Sequence, residues 1–399
     1  MVGPPRSFKG WGPSCAMTET AVLETRATLA GADMVAAVRD IARRDLAPLV
    51  TAIDLEAQYP EAVLRAFAKV GAYQAHLPGI ATGKPDLRSA IEAMSAVSEH
   101  CLSTAFCMWC QNALGWYIAT SDNAGLKSTL LGRVAAGEAL GGTGLSNPMK
   151  TFYGIEKLRL KAKRVDGGYA VTGVLPWVSN LGDDHYFGGI FEVDGDADTR
   201  VMAVLDCGGD GVKLVQNAQF VALDGTRTFC VQFRDAFVPD SAVLAAPIPD
   251  YIRRIRAGFI LLQAGMAFGL IRNCIALMKQ ERTALGHVNK YIEKQPEDFE
   301  STLAALEAAV WQLCETPFDD SNAYFRRVVE ARLAAGDATV EAAHFAMLHQ
   351  GAKGYLNTGG AQRRLREAYF VAIVTPAIKH LRNEIARIEG GCATCADEM

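Results

Sequence analysis

The chain has 399 residues, 50% hydrophobic and 21% charged, with 40 basic against 44 acidic side chains. At roughly 150 residues per domain, this predicts two or three domains with a large core, and the near balance of charge excludes a dedicated nucleic-acid binder, which carries a basic excess or stripe. Ten cysteines are too few for a disulfide scaffold and point to a reducing cytoplasm, and the longest apolar stretch, Ala257 to Ile271, is broken by Gln263 and shorter than the roughly 20 residues of a bilayer span, so a soluble protein without membrane contact is expected.

Residues 1–16 (MVGPPRSFKGWGPSCA) are rich in Gly, Pro and Ser and lack an apolar core of signal-peptide length; they read as a disordered leader. Residues 17–140 read as an N-terminal helical domain, because apolar residues recur at three- and four-residue spacing in MVAAVRDIARRDLAPLV and EAVLRAFAKVGAY. Pro60 opens a helix where its missing N–H costs nothing. Residues 141–245 change to period two. Lys157 to Lys163 alternates, Asp166-Gly167-Gly168 follows as a turn, and Tyr169 to Thr172 completes a hairpin. Phe187–Val193, Val201–Leu205 and Cys230–Phe233 are further short strands, so an antiparallel β domain is expected. Helical spacing returns over 246–391, with segments at Thr302–Leu313 and Ala361–Arg387 and breaks at Gln295–Asp298 and Gly351–Gly360; residues 392–399 form a tail. The order α, β, α defines an α+β fold. It lacks the strand–helix alternation, the GxGxxG and the GxxxxGK[ST] of a nucleotide-binding α/β chain.

Specific motifs punctuate this pattern. Gly142-Thr143-Gly144 opens the β region, and Gly173-Val-Leu-Pro-Trp177-Val-Ser179-Asn180 ends a strand. Leu223-Asp-Gly225-Thr-Arg227 precedes Phe233, Asp235 and Phe237-Val-Pro239. Glu281-Arg282 with Leu285-Gly286, then Gly351-Ala-Lys-Gly354-Tyr355 and Arg366-Glu367-Ala368, follow among the helices. In this order the chain resembles the acyl-CoA dehydrogenase superfamily over nearly all its length after Ile53. The resemblance implies an N-terminal helical domain, a middle antiparallel β domain and a C-terminal four-helix-bundle domain, with FAD between the last two. It also implies a homotetramer or homodimer in which a neighbouring copy covers part of the cofactor.

The chemistry of the residues is compatible with that implication. A flavin needs hydrogen bonds to its ring heteroatoms and a wall that excludes water. Thr143 and Ser179 suit the first and Trp177 the second. Arg282 resembles the arginine that reaches the FAD pyrophosphate, where a planar cation fits two phosphates. Gly351 and Gly354 would let backbone approach the cofactor.

The departures concern the reaction. The family's dehydrogenases remove an α-proton with a carboxylate base; the usual glutamate position falls on Thr375, and the second known location falls near Gly258. Phe370 to Leu381 contains no Asp or Glu. Three readings follow: an FAD-dependent oxidoreductase acting on an acyl substrate such as a CoA thioester, with a separate electron acceptor; a monooxygenase on the same fold fed by a flavin reductase; or a non-catalytic flavoprotein. Candidate polar groups are Gln111, Asn112, His100 and Asn180, with Glu99 and Glu367 as substitute carboxylates. Cys107-x-x-Cys110 lies in an apolar run and Cys392-x-x-Cys395 in the tail, so a joint zinc site is not expected.

Overall fold

A computed structural model of the chain describes residues 29–80, 83–194 and 196–391. The expected leader and tail, with Cys392 and Cys395, lie outside the described residues.

The N-terminal block contains helices α1 (Gly31–Ile41), α2 (Glu61–Lys69), α3 (Leu87–Ser98) and α4 (Leu102–Thr120). Pro60 is the N-cap of α2, and the Asp86 carboxylate caps α3 by accepting the Ser89 N–H at 2.9 Å. Every residue of α4 is buried. A helix apolar all round must be enclosed, and α4 packs between the other helices and the first strand. Cys107 and Cys110 are buried free thiols within it.

The middle block contains β1 (Gly141–Thr143), helix α5 (Ser146–Phe152), and β2 (Lys161–Val165), β3 (Gly168–Val178), β4 (Tyr186–Val193), β5 (Asp196–Asp206), β6 (Val212–Val215), β7 (Phe229–Pro239) and β8 (Val243–Ala245). They form one sheet in the order β6-β7-β3-β2-β4-β5-β8, with β1 beside β4. The sheet is mixed rather than antiparallel: β1 and β2 each run parallel to β4. Both strands reach β4 by long crossovers, the connection that parallel pairing requires. The strand expected from Lys157 begins only at Lys161. The Asn147 amide binds Lys157 O at 3.0 Å and the Arg159 N–H at 2.9 Å, which holds residues 157–159 to α5.

The C-terminal block contains α6 (Pro249–Leu262), α7 (Ala264–Gln280), α8 (Arg282–Asn289), α9 (Pro296–Cys314), α10 (Asn322–Gln350), α11 (Gly360–Ile373) and α12 (Ile378–Glu389). The 32 residues Pro249–Gln280 are long and apolar enough to cross a membrane by length and composition, and 78% of their most apolar window is buried inside the protein. The helix expected over Ala361–Arg387 is two helices, broken at residues 374–377. N- and C-terminal helices share one continuous core, whereas the sheet has its own.

A tight junction forms where β1 passes the end of β3 and pairs with β4. A Cβ on Gly142 would lie 2.2 Å from Ser179 O, and one on Gly141 would lie 1.9 Å from Tyr186 O. Gly142→Ala is therefore expected to destabilise the protein by about 2 kcal/mol or more, as overpacking against backbone does. Denaturant unfolding checks this; an unchanged midpoint would show that the crossing can widen.

Candidate active site

Asn180 organises this junction from a left-handed backbone (φ 63°), which asparagine tolerates better than most residues. Its Nδ2 donates to Gly141 O at 2.6 Å, its Oδ1 accepts from Tyr59 OH at 2.7 Å, and its backbone N–H donates to Thr226 O at 2.9 Å. From the other side, the Gln111 amide donates to Val134 O and Ala139 O while its Oε1 accepts the Gly141 N–H, each at 2.9 Å. Gln111 is engaged wholly by backbone and Asn180 by backbone and the Tyr59 hydroxyl, so both amides position β1.

Thr143 and Ser179 are thereby placed side by side at the end of the sheet. Thr143 Oγ1 shares a 2.8 Å hydrogen bond with Tyr117 OH. Burial pushes that phenol well above its ordinary pKa, so it stays protonated. Ser179 Oγ begins a hydroxyl chain, 2.6 Å to Thr228 Oγ1 and 2.8 Å onward to Thr226 Oγ1, which donates to Leu223 O. Trp177 is 50% exposed, with Lys150 Nζ 5.4 Å from its ring centroid. An aromatic face, two hydroxyls and a cation thus meet on one edge.

The segment between α11 and α12 approaches the same place. Thr375 Oγ1 lies 3.4 Å from Ser146 Oγ, a long contact for two hydroxyls. Gln263 Nε2 donates to Thr375 O at 2.9 Å, Arg332 Nε donates to Gln263 Oε1 at 2.7 Å, and Arg332 Nη2 donates to Val371 O. Burial pulls the Arg332 pKa down to about 10. Between α5 and α6 lies a cavity of about 40 Å3, lined by Leu145, Phe152, Ile255, Phe259 and Phe325, with Glu384 contributing a carboxyl. Its wall includes Arg256, whose guanidinium lies 3.8 Å over the Phe325 ring.

Next to this cavity, His380 is 3% exposed. Its Nδ1 accepts the Ala377 N–H at 3.1 Å, and its ring stacks on Tyr153 at 4.9 Å between centroids. Burial, reinforced by the Lys379 and Lys150 charges, lowers its pKa to about 4.

The remaining expected residues form a second group at one end of the helices. Arg282 pairs with Glu297 at the surface. Its neighbour Glu281 accepts from Gln350 Nε2 at 2.9 Å and Lys353 Nζ at 2.7 Å, which joins it to the turn carrying Gly351 and Gly354. Gly351 terminates α10 with φ 57° and open space where a Cβ would be, so backbone there is accessible. Gly354 instead packs inward: a Cβ would lie 2.7 Å from Gln350 Cβ and 3.0 Å from Ala361 Cβ.

The chain matches the model of the acyl-CoA dehydrogenase N-terminal domain over residues 31–138. It is 23% identical over 343 residues to benzylmalonyl-CoA dehydrogenase of Aromatoleum aromaticum, covering 82% of this chain and 89% of that one. It is 22% identical to the mitochondrial short-chain specific acyl-CoA dehydrogenase of Bos taurus, covering 84% of each. The butyryl-CoA dehydrogenase structure from Megasphaera elsdenii superposes with a TM-score of 0.80 at 17% identity, covering 90% of this chain and 97% of that one. Residues 31–138 thus match an acyl-CoA dehydrogenase N-terminal domain, and the chain as a whole is similar to acyl-CoA dehydrogenases in sequence and in fold.

Of the two places where a base is expected by resemblance, one falls on Thr375, already described, and the other near Gly258, where a Cβ would lie 2.5 Å from the Trp116 ring. Trp116 fills the space a longer side chain would need. Of the substitute carboxylates, Glu367 is fully enclosed. It accepts from Arg364 Nη1 at 2.7 Å, Arg363 Nη1 at 3.1 Å and the Leu102 N–H at 3.3 Å. Burial alone would raise its pKa, but the two guanidiniums outweigh that and hold it down. Glu99 is raised by burial against Arg39, Arg272 and Arg364. His100 gives its carbonyl to Arg363, and Asn112 is buried inside α4. Sequence reasoning missed Tyr117, Ser146, Lys150, Thr228, His380 and Glu384. The Thr226-Arg227-Thr228 motif was the available signal for Thr228; nothing local marked the others.

His380 also predicts a pH dependence. The unfolded chain takes up its imidazole proton near pH 6.5, and the native chain only near pH 4. Stability contributed by the neutral ring is present above pH 6.5 and is lost as pH falls toward 4. Urea unfolding across this window is expected to show a steeper decline for the native chain than for His380→Gln; parallel declines would contradict the assignment.

Proposed function

We propose that this chain binds FAD against Trp177 and between Thr143 and Ser179, and uses it to oxidise a small acyl substrate, such as a CoA thioester, held at the α5–α6 cavity. The observation that carries this reading is convergence: residues as distant in sequence as 143, 177, 179 and 375 meet at one sheet edge beside an apolar cavity. Bound FAD would supply a hydride acceptor. The chain's own residues supply hydroxyl partners for the ring and an aromatic wall, with an apolar lining at the small α5–α6 cavity that would have to widen to take an acyl group.

The donor set fits the cofactor in two halves. Arg282 and Gly351, the phosphate-side group, belong to the helical C-terminal block and Thr143 and Ser179 to the sheet edge, and Tyr291, Tyr355 and Leu356 of that block are 80%, 81% and 60% exposed. A second copy of this chain laid on that end would cover these side chains and bring Arg282 to the cofactor held by its neighbour. Arg282→Ala is expected to lower FAD affinity roughly 10- to 100-fold, the loss of a charge-assisted contact. Co-expression of Arg282→Ala with Trp177→Ala should recover part of the flavin content, which a site within one copy would not allow.

The second reading, a monooxygenase supplied with reduced flavin, is favoured by the threonine at one base location and the Trp116-filled space at the other. Anaerobic titration of the FAD-loaded protein with acyl-CoA thioesters separates the two. Bleaching of the flavin supports dehydrogenation. No bleaching, with slow reoxidation of photoreduced protein by oxygen, supports the second reading. Protein that never takes up FAD would defeat both. Thr375→Glu is expected to retain FAD and to gain or increase bleaching by thioesters, measured in the same titration.

A further inference from the structure

We propose that the hydroxyls of Ser179 and Thr143 have fixed and opposite hydrogen-bond polarity toward the flavin ring. Ser179 presents an acceptor and Thr143 a donor, with Thr228 and Tyr117 as the positioning residues that set them. This rests on the FAD-binding function proposed above. Each hydroxyl carries one hydrogen, so the direction of a hydroxyl chain follows from its last member.

The Ser179 chain ends on a carbonyl. Leu223 O can only accept, so the Thr226 hydrogen is committed to that 2.7 Å bond. Thr226 Oγ1 must then accept from Thr228 across 2.8 Å, and Thr228 Oγ1 in turn accepts from Ser179 across 2.6 Å. The Ser179 hydrogen therefore points back along the chain, and its oxygen turns only lone pairs to the sheet edge. The reverse order would set two acceptors against each other where Thr226 meets Leu223 O, and buried oxygens without a donor are costly.

Thr143 is fixed in the opposite sense. Tyr117 is buried, and Thr143 Oγ1, at 2.8 Å, is the hydrogen-bond partner of its phenol among the described residues. A buried O–H needs an acceptor, so the phenol donates and the Thr143 hydrogen remains for a ligand. Gly188, the β4 partner of Thr143, seats the tyrosine ring: a Cβ there would lie 2.6 Å from Tyr117 Cδ2. Ser179 and Thr143 are half-buried, whereas Tyr117 and Thr226 behind them are buried. Each of the two hydroxyls thus keeps an open side at the edge that carries Trp177.

An acceptor selects an N–H of the ring, and a donor selects a ring carbonyl or an unprotonated ring nitrogen. A flavin offers N3–H in both oxidation states and N5–H once it is reduced. The test loads full-length protein with FAD labelled with 15N and 13C in the ring and records both states by NMR. In the native protein a ring N–H proton is expected downfield. Ser179→Ala should move it upfield and weaken FAD binding about fivefold, the loss of one neutral hydrogen bond. Thr228→Val should move the same proton in the same direction by less, because Ser179 then lacks the partner that polarises it. Thr228→Ser should restore it, and a merely structural Thr228 would leave that proton in place. Thr143→Val should instead move a ring carbonyl or an unprotonated nitrogen, and Tyr117→Phe the same resonance by less.

A response of the N–H in both oxidation states assigns Ser179 to N3–H. A response in the reduced state alone assigns it to N5–H, and Thr228→Val then also lowers the reduction potential. Movement of unprotonated ring atoms alone in Ser179→Ala, or of an N–H proton alone in Thr143→Val, overturns the proposal. So does an unchanged ring spectrum in both variants while FAD stays bound. A native chain that never holds FAD defeats the underlying function instead, which keeps the two failures apart.

Discussion

The site depends on how closely β1 is allowed to approach the end of β3. Gly142 carries no side chain at a point where a Cβ would meet Ser179 O at 2.2 Å, and Asn180 holds the approach by bonding Gly141 O, Tyr59 and Thr226 O together. Thr143 and Ser179 are neighbours only because this crossing is tight. If it opened by even a side chain's width, the hydrogen bonds that hold β1 there would be lost, since they weaken steeply with distance and angle. The parallel pairing of β1 with β4 has the same consequence: it carries the chain out of the helical core and onto the sheet edge within three residues.

A second constraint acts from the opposite wall. The buried Arg332 guanidinium, through Gln263, grips the carbonyls of Val371 and Thr375 and so stops α11 short of α12. Arg332 and Gln263 are bonded here to backbone and to each other, while Lys150 and Arg256 lie over aromatic rings. The deeply buried ion cluster, Arg363 and Arg364 around Glu367, lies instead where α11 meets the start of α4. That separation matters chemically. A charge fully satisfied by partners is expensive to disturb and is a poor proton-transfer group.

Much of this architecture was legible in the sequence because it depends on periodicity and local chemistry. The spacing of apolar residues marks the helices, the alternation around Tyr169 and Phe187 marks strands, and the breaks at Gln295 and Gly351 coincide with a capped helix start and a left-handed helix end. Where local reading failed, a distant contact had overridden it. Asn147 detains residues 157–159 that alternate like a strand, and the mixed sheet order depends on crossovers that no window of sequence contains. The site divides in the same way. Trp177, Ser179 and Thr143 stand in recognisable motifs, whereas His380 and Glu384 sit in an ordinary amphipathic helix and gain meaning only from what faces them.

The sequence by itself determined the α–β–α order, the superfamily resemblance and the lack of any Asp or Glu from Phe370 to Leu381, because each of these is a property of residue type and spacing. Only the tertiary structure decided that Trp116 packs against Gly258, that Arg282 pairs with Glu297, and that the His380 Nε2 is buried without a hydrogen-bond partner among the described residues. These are relations between residues tens to hundreds of positions apart. They are set by packing density and by the need to satisfy buried polar groups, neither of which is written in any local stretch of chain.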